Sequence, residues 1–138
     1  MGDKTWKRVE REKCRELGGE RSGPTGRDTP DCDDSVHVGL EVKSYKTFVF
    51  LTKDWEQAVD NAAKIGKPPV LAVKERGHNG RDMVQITQAY FTILADCADL
   101  GPTAWYTLVR GQFVRLPWED FVRLYRAAYI NEKENSTG

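Results

Sequence analysis

An acid at position 31 and an acid–base pair at positions 41 and 43 are the residues of this chain best suited to chemistry. They fall within T-P-D-C-D-D-S-V-H-V-G-L-E-V-K-S-Y, residues 29–45. Val38, Leu40 and Val42 alternate there with Gly39, Glu41 and Lys43, the period-two pattern of a strand with one apolar face. The pattern predicts a strand from Val38 to Tyr45. Asp31 closes the preceding turn, and a hairpin from Asp31 to Glu41 can set the two carboxylates side by side. Paired carboxylate oxygens suit a hard divalent cation, Mg²⁺, with Mn²⁺ able to substitute. Lys43, one pleat further on, suits the holding of an attacking water or the neutralising of charge that develops on a phosphate. Asp33 and Asp34 follow closely and are alternatives to Asp31 as the principal ligand.

The elements that must position these groups begin upstream. Lys4 to Leu17 reads as a helix, capped by Asp3 and ended by Gly18-Gly19. Trp6, Val9, Cys14 and Leu17 share one arc of it, and Glu10 falls inside that arc. A carboxylate on a buried stripe is costly unless something pairs with it. Two readings stand: Glu10 reaches a metal site at the edge of the core, or it pairs with Lys13 on the same arc. Arg8 and Arg11, with Glu12 and Arg15, form a charged outer face that can also meet phosphates. Gly18 to Thr29 is a loop of Gly, Ser, Thr and Arg. Arg21, Ser22 and Arg27 are its phosphate-contact candidates, a plain surface loop being the alternative. No G-x-x-x-x-G-K-[ST] pattern is present, which argues against a nucleoside-triphosphate site.

Downstream, Lys46 to Leu51 reads as β-rich, a strand or its continuation. Asp54 to Ile65 is a predicted helix with Trp55, Ala58, Ala62 and Ile65 on one face and Gly66 at its end. Val70 to Lys74 is a short apolar run suited to a buried strand. Strand, helix, strand of this size is a crossover unit. The polar tip from Lys74 to Arg81 places Lys74 and Arg76 where they can touch nucleic acid. Met83 to Thr87 is a further strand, Gln88 to Leu100 a helix, and Thr103 to Arg115 one or two strands. A last helix starts at Pro117 or Trp118, and its stripe of Phe121, Leu124, Tyr125 and Ala128 fits a core or a subunit interface. His37 and His78 read as surface histidines. Trp105, Tyr106 and Trp118 fit core packing better than base stacking.

The 138 residues are enough for one domain, residues 1–130, followed by a polar tail, 131–138. A composition of 39% hydrophobic and 30% charged residues is ordinary for a soluble globular protein. No apolar run approaches a membrane span, so no membrane partner is expected. Cys14, Cys32 and Cys97 are odd in number and form no C-x-x-C, which favours free thiols in a reducing cytoplasm. The net charge is zero but unevenly spread. Residues 1–27 hold eight Lys/Arg against five Asp/Glu, residues 28–43 one against five, and residues 44–81 seven against four. An acidic island between basic segments is the pattern of a metal site within an anion-binding surface.

One family combines these features. A helix with an embedded glutamate (Lys7-Arg8-Val9-Glu10), a Gly-rich basic loop (Leu17-Gly18-Gly19-Glu20-Arg21), Thr29-Pro30-Asp31, and Leu40-Glu41-Val42-Lys43 occur in that order. Lys67 to Lys74 follows as a further strand. The chain resembles the PD-(D/E)xK nuclease superfamily, and within it the small Holliday-junction resolvases of archaea and phages, over about Thr5 to Arg76. The resemblance implies a restriction endonuclease-like α/β fold, a mixed central sheet flanked by helices. It implies a homodimer and Mg²⁺-dependent phosphodiester hydrolysis on branched DNA, cutting four-way junctions by paired symmetric nicks. Glu10, Asp31 and Glu41 match the family's metal-binding acids and Lys43 its catalytic lysine. Ser22 falls where such resolvases often carry a loop serine near the scissile strand. The location implied is cytoplasmic, that of the host if the chain is phage-encoded. Other readings keep the same acids: a restriction-like, repair or nicking nuclease, or a non-catalytic branched-DNA scaffold.

Overall fold

Hydrophobic alternation in short runs, with turn residues between, gives a sheet whose two faces are covered by different helices. The computed structural model describes residues 2–20, 31–33, 35–77, 80–98, 107–109 and 112–131. In chain order these form α1 (Gly2–Glu16), β1 (Gly39–Tyr45), α2 (Thr52–Ile65), β2 (Pro69–Glu75), β3 (Asp82–Thr87), α3 (Gln88–Ala98), β4 (Thr107–Val109), β5 (Phe113–Pro117) and α4 (Trp118–Arg126). A π-helical turn, Ala127–Asn131, extends α4. The five strands lie in the order β1-β2-β3-β5-β4. β1 and β2 are parallel and every other pair is antiparallel, so the mixed α/β sheet expected from the sequence is present.

The parallel pair follows from α2, which carries the chain back between β1 and β2. Gly66 ends α2 in a left-handed conformation, φ 67°, and its N–H bonds back to Ala62 and Ala63. Near the same end of α2, Gly39 of β1 lies under the helix. A Cβ there would stand 2.5 Å from the Ala62 Cβ and 2.7 Å from its Cα. Glycine is therefore required for the helix to approach the strand this closely.

Period-two alternation assigns each strand residue to a face. Leu40, Val42, Val70, Ala72, Val84, Ile86, Val114 and Leu116 point into the larger core, covered by α1, α3 and α4. Leu71 and Val73 point the other way, beneath Ala58 and Trp55 of α2 and beside Phe48 and Phe50. Because Glu41 is in register with Leu71 and Lys43 with Val73, both site residues project on the α2 face.

Lys46–Leu51 differs from its expected strand character: β1 stops at Tyr45 and the segment is irregular. Its partner strand ends at Glu75, where the Arg76 amide bonds the Tyr45 carbonyl, so no ladder remains to extend. Phe48 and Phe50, whose rings meet edge-on at 5.3 Å, fold back over the α2-side core. The apolar alternation of this segment thus reflects packing. α1 begins at Gly2, which places Asp3 inside its first turn and not at a cap.

Candidate active site

β1 is the outermost strand, and its free edge receives the segment that carries Asp31. The Asp31 amide donates to the Leu40 carbonyl at 2.8 Å. Its own carboxylate then takes the next donor on that edge: Val42 N–H donates to Asp31 Oδ2 at 2.7 Å. A side-chain oxygen stands where a neighbouring strand would supply a carbonyl. Asp31 is thereby fixed in height and direction along β1, one residue past Glu41. Asp33 has a different task. Its Oδ1 accepts the amides of Glu20 and Ser35 at 3.3 and 3.1 Å, which closes the following turn. The structure thus separates the candidates: Asp31 faces the site and Asp33 shapes a turn. Asp34 lies outside the described residues.

α1 reaches this edge through a covalent bond. Cys14 and Cys32, 18 positions apart in sequence, form a disulfide with their Cα atoms 5.4 Å apart. This corrects the expectation of free thiols for two of the three cysteines; Cys97 is free and exposed. Spacing could not reveal the pair, because it depends on α1 packing against the β1 edge. Cys14 is one helical turn beyond Glu10, and Cys32 adjoins Asp31. The disulfide therefore ties together the two elements that carry these acids. Glu10 is 7% exposed, on the same buried stripe as Cys14 and Leu17.

Lys13 is buried on that stripe as well. Its Nζ donates to Asp82 Oδ1 at 2.6 Å and lies 4.0 Å from the Trp118 ring centroid. The ion pair that settles this lysine in the core thus crosses from α1 to β3. Burial lowers its pKa, and the Asp82 charge opposes that shift.

Glu41 is supported from α2. Asn61 donates its side-chain amide to Glu41 Oε1 at 2.7 Å, and each residue is 3% exposed. Asp54, two turns earlier on the same face of α2, is also buried and accepts a hydrogen bond from the Tyr45 hydroxyl. Burial raises the Tyr45 pKa to about 12, and the Asp54 bond and charge act in the same direction. Asn61 and Asp54 escaped the sequence reading, which took only the apolar residues of this helix as its inner face. The available signal was their spacing from Ala58, four residues before and three after.

The acids act on one another. Burial pushes the Asp31 carboxyl well above its usual range. The charges of Glu41 and Glu10 push it further, while the Val42 amide and Lys43 pull it down. Burial also raises Glu41. The Asn61 bond and Lys43 oppose that rise, and Glu10 and Asp54 add to it. Three carboxylates from α1, the β1 edge and β1 itself thus share one field, and Lys43 is felt at two of them. An all-oxygen donor set whose ionisation is mutually opposed suits a hard cation. Among the described residues, no three carboxylate, histidine or thiol groups are gathered into one coordination cluster. The chemistry fits a divalent ion, while the donors are not drawn into a finished sphere.

No protein-family model, curated protein or solved structure matches the chain.

Four of the seven expected DNA-facing residues lie among the described residues. Arg8 and Arg11 are exposed on the outer face of α1, and Arg8 lies 3.8 Å from Glu12. Lys74 is half-buried on β2 opposite Asp82, and Arg76 is exposed just past the end of β2. Arg21, Ser22 and Arg27 lie outside the described residues, as do His78, Trp105 and Tyr106. His37 is exposed, with its ring stacked on Tyr129 at 4.5 Å and its amide bonded to the Tyr125 hydroxyl. Trp118 is buried in the larger core, as its aromatic stripe implied. Among the described residues, no helix is long and apolar enough to cross a membrane.

Proposed function

We propose that this protein is a metal-dependent endodeoxyribonuclease that cuts branched DNA, with the four-way junction as its substrate. The observation that carries the reading is the electrostatics at Asp31. This carboxylate is fixed on the edge of β1, and its ionisation is opposed by acids from two other elements. Such an arrangement is costly to fold and is relieved by a bound cation. The restriction endonuclease-like form of the α/β fold belongs to the same proposal.

Asp31 and Glu41, with Glu10, would hold Mg²⁺ or Mn²⁺. Bound there, the ion would lower the pKa of a water and polarise the phosphodiester. The protein's own groups do the rest. Asn61 holds the Glu41 carboxylate in one orientation. The Val42 amide does the same for Asp31. Lys43, whose charge reaches both acids, orients the attacking water and offsets the negative charge of the transition state. Arg8, Arg11, Lys74 and Arg76, together with Arg21, Ser22 and Arg27, bind the phosphate backbone. Selection then rests on junction shape and not on base sequence. Paired, symmetric nicks require two such centres related by a two-fold axis, and a homodimer supplies them.

Substrate choice is tested by offering an immobile four-way junction and a linear duplex of the same sequence in competition, in Mg²⁺. Preferential, symmetric nicking of the junction supports a resolvase. Equal cutting of both keeps the nuclease and removes the resolvase. Tight junction binding with no cutting under any divalent ion would leave a branched-DNA scaffold.

A further inference from the structure

We propose that the Cys14–Cys32 disulfide is a reversible redox site that sets the geometry of the acid centre. The inference deepens the reading above and rests on it for the metal, but its structural part stands alone. The bond joins two elements whose chains also pair just beyond it, where the Asp33 amide donates to the Glu20 carbonyl at 2.8 Å and Asp33 Oδ1 accepts the Glu20 amide at 3.3 Å. On one side is α1, which carries Glu10 one turn before Cys14. On the other is the segment in which Asp31 precedes Cys32, held to β1 by the Asp31 amide and carboxylate. Neither Glu10 nor Asp31 can shift along the β1 edge without pulling on this bond. Cys14 and Cys32, 18 positions apart in sequence, put a covalent link next to Asp31 and one helical turn from Glu10, nearer in sequence to both acids than the Glu20–Asp33 pair.

Mutual repulsion makes such a strap useful. Glu10 and Asp31 are both acids, and like charges drawn to one edge favour separation. The disulfide resists that separation covalently. Its reduction leaves Cys14 with a far weaker link to the same segment, since Cys14 Sγ lies 3.5 Å from the Asp31 carbonyl oxygen and a thiol there can only donate a weak hydrogen bond. The two redox states therefore differ in how firmly α1 is held to the Asp31 segment.

The chemistry is thiol–disulfide exchange with a dithiol. A thiolate of the dithiol attacks one sulfur, the Cys14–Cys32 bond breaks, and the departing cysteine leaves as a thiolate that takes up a proton. The second thiol of the reagent then displaces the mixed disulfide. The dithiol loses two electrons and becomes a cyclic disulfide, while Cys14 and Cys32 gain them as thiols. Both cysteines are buried, at 0% and 5% exposure. Attack therefore waits on opening of α1 from the β1 edge, and reduction is slow in the folded protein.

The test uses the full chain in three forms: oxidised, reduced with dithiothreitol, and Cys14→Ser/Cys32→Ser. Amide hydrogen exchange is followed at Val42 and along α1, and Mn²⁺ binding is measured by calorimetry. Reduction and the double variant are expected to speed exchange at both places. They should also weaken Mn²⁺ binding by about 10- to 100-fold, the range seen when groups that orient metal ligands are lost. Reoxidation of the wild-type protein should restore both properties, and the double variant should not respond. Equal exchange and equal Mn²⁺ affinity in all three forms would overturn the proposal, as would free thiols at Cys14 and Cys32 after oxidation. Faster exchange on reduction with no Mn²⁺ binding in any form would uphold the strap and remove the nuclease reading.

Discussion

Asn61 donates a 2.7 Å hydrogen bond to Glu41, from the middle of α2 to the middle of β1, with both residues 97% removed from solvent. A buried acid at this position needs a donor, and the nearest element supplies one that cannot change charge. The bond favours the ionised form of Glu41 against the burial that opposes it. Asn61→Ala should therefore leave Glu41 with one acceptor unsatisfied, at a cost of about 1–3 kcal/mol in stability. It should also weaken divalent-ion binding by about 10- to 100-fold. Chemical denaturation and Mn²⁺ titration of the same variant check the two effects. Unchanged affinity would mean that Glu41 is no ligand.

Asp31 gives the pH dependence. Its folded-state pKa is raised above the ordinary 3.8, chiefly by burial and then by Glu41 and Glu10. A raised folded value means that the folded state binds the proton more tightly than the unfolded one. The contribution to stability is fully present below 3.8 and is lost as the pH rises through the folded value. Thermal melting of the metal-free protein from pH 4 upward should show that decline, and Asp31→Asn should flatten it. The variant keeps an oxygen to accept the Val42 amide, so it should melt several degrees higher than the wild type at neutral pH while losing activity. Mg²⁺ should stabilise the wild type alone, by about 2.7 kcal/mol at a hundredfold excess over its Kd.

Tyr45 tests the polar layer beneath α2. Its pKa is raised to about 12 from 10, so its contribution is present below 10 and is lost as the pH rises through about 12. Ultraviolet titration of the phenolates should show this late phase disappear in Tyr45→Phe. Loss of the hydroxyl also strips a donor from buried Asp54, and the variant should be about 1–3 kcal/mol less stable.

Gly39→Ala tests the close approach that places Asn61 over Glu41. The added methyl would collide with Ala62, the neighbour of Asn61 on α2. A loss of about 1–3 kcal/mol is expected, with activity falling more than stability because Asn61 is displaced. Ala62→Gly in the same chain should recover part of both. Denaturation midpoints and cleavage rates of the single and double variants measure the recovery.

Much of this centre was legible because strands and helices write their faces into sequence at fixed periods. The alternation of Leu40 and Val42 with Glu41 and Lys43 placed the acid and the base on one side of β1, where they are found. Gly66 marked the end of α2 and the apolar run from Val70 marked β2. What stayed hidden depended on approach through space. The partners of Lys13 lie on β3 and α4, and neither Asp82 nor Trp118 bears a periodic relation to α1. Cys14 and Cys32 meet only because the Asp31 segment returns to the β1 edge. Asn61 and Asp54 were hidden for another reason, since polar side chains on an inner helix face are assigned outward until an acid is found beneath them.

The proposed function stands on Asp31, Glu41 and Glu10 forming a cation site that hydrolyses phosphodiesters. Single-turnover cleavage of an end-labelled four-way junction tests it most directly, using wild-type protein and Glu41→Gln in Mg²⁺ and in EDTA. Paired nicks are expected from the wild type in Mg²⁺ alone, with a rate at least about a hundredfold lower for the variant even though it still binds the junction. Cleavage that persists in EDTA, or a Glu41→Gln variant as fast as the wild type, would contradict it.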